Sequence, residues 1–144
     1  MSSQLNVDTI VDKAGSGGTN VKIANTSVTV SEGGNATTNT VQGLAKEWVN
    51  FNGTGTIASR DSFNTTSITD NATGDYSITI ANNMANDDYA HAGNSGGGNG
   101  TSAGAVYAND QGTARTTTLF RVYTLHANSN TVDTPTINII VSGD

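Results

Sequence analysis

Asp75-Tyr76-Ser77-Ile78-Thr79-Ile80 decides the fold class. Tyr76, Ile78 and Ile80 take every second position, and the residues between them are polar. Successive side chains of an extended chain point to opposite sides, so this spacing gives a strand with one apolar face. Just before it, Asn71-Ala72-Thr73-Gly74 separates it from an earlier strand-like run and supplies, in Gly74, a residue able to take positive φ. The same alternation returns near the C-terminus, where Ile137, Ile139 and Val141 share one face of the run from Pro135 to Val141. Leu119 to Leu125 is rich in β-branched and aromatic residues. Trp48-Val49-Asn50-Phe51 forms a further strand, closed by the turn Asn52-Gly53-Thr54-Gly55. Residues 88–92 and 103–107 are weaker strand candidates.

No window shows a period of 3.6, and the Thr and Gly content opposes helix. Many short strands joined by glycine and asparagine turns predict an all-β domain over residues 44–144, an antiparallel β-sandwich of jelly-roll-like form. The run Asn94-Ser95-Gly96-Gly97-Gly98-Asn99-Gly100 reads as a long loop, with glycine-rich sequence extending over 93–104. The 144 residues are enough for one ordinary domain with its own core.

Before this domain the sequence changes character. Residues 31–43 hold Gly, Asn and Thr with almost nothing apolar and read as a flexible linker. Residues 1–30 carry two short apolar runs around Gly15-Ser16-Gly17-Gly18. Leu5 and Val7 alternate with polar neighbours, and Ile10 and Val11 then break the period. This is the pattern of an extended arm with one apolar side. Too small for a core, it is expected to dock on a partner or on another copy of the chain. Leu5, Val7, Ile10 and Val11, together with Trp48 and Phe51 near the core or a subunit seam, are the candidate anchoring and oligomer residues.

Composition narrows the function classes. Charged residues make up 12% of the chain, about half the ~25% of an average domain. Six Lys and Arg, scattered along the sequence, form no basic patch, so nucleic-acid binding is not expected. Polarity comes instead from 18 Asn and 23 Thr. With a formal net charge of -6 spread thinly, such a surface lets identical subunits approach without stacking like charges. It equally suits a solvated, loop-rich domain. There is no cysteine, which excludes disulfides and thiolate metal sites. No stretch approaches the ~20 apolar residues of a membrane span, and the first residues lack the basic start and apolar core of a secretory signal.

Catalytic signals are weak. His91 and His126 lie far apart and form no H-x-H or H-x-x-x-H pair, so no metal site is expected. Asp87-Asp88 and the pair Asp70 and Asp75 could in principle serve acid–base chemistry or calcium, but no calcium-loop spacing occurs, and Asp70 and Asp75 suit turn backbone better. No G-x-S-x-G elbow and no phosphate loop is present. The six N-x-[ST] triplets, at Asn25, Asn35, Asn52, Asn64, Asn71 and Asn99, follow from composition. Neither catalytic residues nor a cofactor are expected. Binding is a better prospect: Tyr89, Asn94, Asn99 and Tyr107 flank or occupy the glycine-rich loop and suit a glycan or receptor surface. The two tyrosines suit a core position, with hydroxyls at its rim, at least as well.

One segment is familiar. Ala45-Lys46-Glu47-Trp48-Val49-Asn50-Phe51, the turn Gly53-Thr54-Gly55, Arg60-Asp61-Ser62-Phe63-Asn64 and the run Ser67 to Tyr76 follow one another in order. Between Gly43 and Met84 the chain resembles tail-fibre-like structural proteins of marine bacteriophages, of the cyanophage type, and from Leu5 to Ala14 it does so loosely. The resemblance implies a virion subunit assembled in the host cytoplasm, a homo-oligomer with threefold symmetry, and other phage structural proteins as partners. It brings no catalytic residue. Alternatives are a capsid decoration protein, which shares the fold and composition, a free glycan-binding module, for which a monomer is expected, and a depolymerase, against which the length of 144 residues counts.

Overall fold

The computed structural model describes residues 29–31, 37–39, 43–97, 105–108, 115–126 and 129–143. The chain divides into two units, Met1–Val41 and Gln42–Asp144. In the first, β1 (Thr29–Ser31) and β2 (Thr37–Asn39) pair antiparallel, so the stretch read as a linker contains a short strand. Leu5, Val7, Ile10, Val11 and Asn99 lie outside the described residues.

The second unit holds β3 (Ala45–Asn52), β4 (Ala58–Phe63), β5 (Thr65–Ala72), β6 (Asp75–Ile80), β7 (Ala90–Gly96), β8 (Ala105–Ala108), β9 (Leu119–Leu125) and β10 (Thr136–Ser142). All neighbouring pairs are antiparallel, in the order β4-β3-β10-β7-β8-β9-β6-β5. The elements are therefore all strands, as the alternation predicts, but they form one nearly closed, barrel-like sheet. The two separate sheets of a sandwich do not appear in the pairing. The reason lies in the joint between β4 and β5. These consecutive strands are the two ends of the sheet, and a single residue, Asn64 with φ of 62°, links them. The sheet must curl until β5 returns against β3 and β4.

Polar side chains fasten that closure. Asn64 Nδ2 donates to Lys46 O at 2.9 Å and to Asn82 O at 3.1 Å, while its Oδ1 accepts from Asn82 N at 2.7 Å. Thr65 Oγ1 donates to Glu47 Oε1 at 2.5 Å across the seam. Both edge strands are interrupted: β4 by a register shift opposite Asn50 and Phe51, β5 by two shifts, at Thr65/Ser67 and Asp70/Ala72. Bulges and charges such as Arg60, Asp61 and Asp70 blunt an edge against adding foreign strands.

Inside, the apolar faces meet. Val49 and Phe51 of β3, Tyr76, Ile78 and Ile80 of β6, Phe120 and Val122 of β9, and Ile137, Ile139 and Val141 of β10 are all buried. Each such side chain stabilises the fold by roughly 1.5–3 kcal/mol relative to exposure. Phe51 and Tyr76 meet edge to face with ring centroids 5.2 Å apart. Phe51, a candidate for a subunit seam, is a core residue with no outward surface.

The connections stop the barrel's two ends. At one, the β9–β10 crossing brings Asp133 and Thr134 over β3 and β6. The Tyr76 hydroxyl lies 2.8 Å from Gly53 O and 3.0 Å from Asp133 Oδ1, and Gly53 N donates to Thr134 O at 3.0 Å. Burial, and then the Asp133 carboxylate, hold the Tyr76 phenol protonated far above its ordinary range. Gly74, with φ of 64°, donates its N–H to Asp133 Oδ1 at 2.6 Å, and a Cβ there would stand 2.5 Å from Val132 N. At the other end the β6–β7 crossing carries Met84 and Tyr89 inward, and Met84 N donates to Thr117 O at 2.9 Å.

Candidate functional site

The residues proposed for binding separate. Tyr89 is 1% exposed: its ring meets Phe120 edge to face, its hydroxyl donates to Thr116 O at 3.0 Å, and Arg115 Nη1 donates to Tyr89 O at 2.6 Å. It plugs the barrel and offers nothing to a ligand. Tyr107 is 52% exposed on β8. Asn94 belongs to β7, which runs to Gly96, so the expected long loop starts later than the glycine content suggests. The β7 backbone pairs with β10 through that whole stretch, from Thr136↔Gly96 to Ser142↔Ala90.

Asp75 and the two histidines have structural partners. Asp75 is buried and receives a two-pronged bond from Arg121, whose Nε lies 2.6 Å from Oδ1 and whose Nη2 meets Oδ2. It serves this pair as well as its turn. His91 stacks on Phe120 with ring centroids 5.3 Å apart. His126 caps the β9–β10 turn, its N–H donating to Asn130 O at 2.9 Å. Among the described residues, no three His, Asp or Glu side chains gather in a way that could hold a metal ion. No helix among them is long and apolar enough to cross a membrane.

Two features outside the sequence candidates stand out. The first is Glu47. It points inward from β3, is 0% exposed, and touches Thr65 through Oε1 while Oε2 has no hydrogen-bond partner among the described residues. Burial pushes its carboxyl up to about 7, and the Thr65 hydroxyl only partly offsets this. Close by, a cavity of about 140 Å³ opens between β4 and β5, lined by Ile57, Ile68 and the hydroxyls of Ser59, Ser62, Thr65, Thr66 and Ser67. It is the gap left where the two edge strands splay from Asn64.

The second is the outer face of β4-β3-β10-β7. Strand register places two rows across it. Phe63, Trp48, Ile140 and Ala92 are directly opposite one another and form an apolar row; Phe63 is 54% and Ile140 50% exposed. Two residues along each strand, Asp61, Asn50, Asn138 and Asn94 form a polar row. The amides of that row are chained in one direction. Arg60 Nη1 donates to Asn50 Oδ1 at 3.4 Å, Asn50 Nδ2 to Asn138 Oδ1 at 2.5 Å, and Asn138 Nδ2 to Asn94 Oδ1 at 2.8 Å. Arg60 also donates to Phe51 O at 3.1 Å and to Pro135 O, which fixes the start of the chain. The small Ala92 side chain lowers the relief beside β10, and a groove of about 310 Å³ is lined there by Ala92, Gly93, Asn94, Asn138, Ile139 and Ile140.

Sequence reasoning found Asn94 and Trp48 but not the row that joins them, because cross-strand neighbours are remote in sequence. The alternation of Asn50 with Val49 and Phe51, and of Asn138 with Ile137 and Ile139, was the available signal that both asparagines face outward. Compared with protein-family models, with curated proteins and with solved structures, the chain matches none.

Proposed function

We propose that this chain is a structural subunit of a bacteriophage particle, of the short tail-fibre or attachment kind, with no catalytic role. Its first 30 residues anchor it to other phage proteins, copies associate as a homotrimer, and the barrel-like domain is displayed outward. The particle, assembled in the host cytoplasm, is its place.

One observation carries this reading. The segment Gly43 to Tyr76 that resembles marine phage fibre proteins coincides with a continuous structural unit, β3 to the start of β6, containing both edges of the sheet and the joint that closes it. The pattern's special residues hold that unit together: Gly53 under the Tyr76 hydroxyl, Arg60 across β3, Asn64 at the joint, and Gly74 in its left-handed turn. A likeness spread over residues with such interlocking roles is a likeness of a folding unit and not of composition. The charge-poor outer surface and the blunted edges support a domain meant to sit among copies of itself without fusing into sheets.

The jelly-roll-like form enters here too. Among the described residues β7 and β8 are joined by one residue pair, Asn94↔Ala105. A fold line there would set β4-β3-β10-β7 against β8-β9-β6-β5 as two four-stranded halves of a flattened barrel. The second reading, a capsid decoration protein, shares all of these features. Gold-labelled antibody on intact particles tests both. Label at the tail is the expected result, label spread over the head favours decoration, and particles without label overturn the virion role.

A further inference from the structure

The outer face of β4-β3-β10-β7 joins a ready-made hydrogen-bonding rail to an apolar shelf, and the geometry points to a binding platform for neutral polysaccharide. Adjacent strands lie about 4.8 Å apart and alternate residues about 7 Å along a strand. The apolar row Phe63, Trp48, Ile140 and Ala92 therefore runs about 14 Å across the strands, with the asparagine row parallel to it one sugar-ring width away. A pyranose has an apolar C–H face and an edge of hydroxyls. Laid on the shelf, a short run of sugar rings would stack those faces on Trp48 and Phe63 while their hydroxyls reach Asn50, Asn138 and Asn94.

The rail is set for that task. Each amide is held by its neighbour, so little side-chain entropy is lost on binding. Successive bonds in one direction polarise one another. The chain starts at the Arg60 guanidinium and ends at Asn94, an exposed residue whose Oδ1 accepts from Asn138. An exposed amide bordering the groove, with its N–H groups open to a ligand, suits one rich in uncharged oxygen acceptors. The Asp61 carboxylate at the end of the row and the net charge of -6 disfavour a polyanion. Size disfavours a second copy: four strands about 23 Å long give on the order of 300 Å², against the ~800 Å² per partner of a stable protein interface.

This inference deepens the attachment reading by naming what the displayed domain would hold, yet it is tested apart from it. Trp48 is the only tryptophan, so its emission reports on the shelf directly. The purified chain is titrated with dextran, mannan and laminarin, and with polygalacturonate as the anionic arm. At least one neutral polysaccharide is expected to shift Trp48 emission to the blue, saturably, and to retard the protein in an affinity gel, while polygalacturonate does neither. Asn94→Ala and Asn138→Ala should weaken binding by roughly three- to tenfold, one hydrogen bond's worth, with an unchanged circular dichroism spectrum. Tyr107→Ala, on β8, should leave binding as it was. The proposal is overturned if no polysaccharide moves the emission, if polygalacturonate binds equally, or if the shift follows protein concentration, which would give the face to a second copy. Sugar binding by a protein that labels no particle would keep the platform and remove the virion role.

Discussion

The walls of the barrel and its seam are built on different principles. In β6 and β10 every second side chain is buried, and the strands are held by apolar packing on the inner face and a full ladder to both neighbours. In β4 and β5 most side chains are exposed, each strand has one paired neighbour, and closure depends on Asn64, Thr65 and Glu47. Apolar burial is non-directional and tolerant, whereas a seam of hydrogen bonds must have every partner in place. Damage to the walls should therefore cost the most stability, and damage to the seam should show in conditions as much as in magnitude.

The largest effect is expected in the wall. Phe51→Ala removes a fully buried ring that packs on Tyr76 and should lower unfolding stability by about 3–5 kcal/mol in urea titration. A loss below about 1 kcal/mol would mean the barrel core is not the main source of stability.

Next comes Glu47, where wall and seam meet. Its folded carboxyl titrates near 7 against an ordinary 4.5, so between those values the folded chain binds more protons than the unfolded one. Stability is then fully present below pH 4.5, falls as pH rises, and has lost about 3 kcal/mol once pH passes 7. Glu47→Gln keeps an acceptor for Thr65 and cannot ionise. Its urea midpoint should stay level between pH 5 and 8, while the parent's declines. Parallel profiles for the two proteins would remove Glu47 from the account.

The Asn64 joint follows. Asn64→Ala loses the side-chain bonds to Lys46 and Asn82 and places a Cβ residue without local compensation at positive φ, a cost of about 1–3 kcal/mol. Asn64→Gly restores the backbone freedom only, so it should recover part of that loss in thermal unfolding. Equal stability of the two variants would show that the φ angle is irrelevant to closure. The smallest effect belongs to the outer surface. Tyr107→Ala should change stability by less than about 0.5 kcal/mol, since its side chain is half exposed on a short strand.

The same contrast explains what the sequence made legible. Tyr76, Ile78 and Ile80, and likewise Ile137, Ile139 and Val141, announce their strands and their buried face because one side of a wall meets the core and the other meets water. β4 carries Ala58-Ser59-Arg60-Asp61-Ser62-Phe63, with no apolar alternation, because its inward residues line a gap and not a core. One nearly closed sheet in place of two facing ones follows from Asn64, a single left-handed residue with no periodic signature. Tyr89 beside glycine-rich sequence suggests a loop aromatic. Its burial depends on Thr116 and Phe120, some thirty residues away, and proximity in sequence carries no such information. The asparagine rail was half visible as outward positions on two strands, but its order across β3, β10 and β7 is a matter of topology.

Asn52-Gly53 has a chemical consequence. Such a dipeptide ordinarily ages by ring closure: the glycine nitrogen attacks the asparagine carboxamide and expels ammonia. Here that nitrogen is committed to Thr134 O at 3.0 Å, and the carboxamide is gripped by Thr54 from both ends, through Nδ2 to Thr54 O at 2.8 Å and Oδ1 to the Thr54 hydroxyl at 2.9 Å. Ring closure at Asn52, one of the two Asn-Gly dipeptides of the sequence, is thus held back in the folded chain, and unfolding the domain would release it.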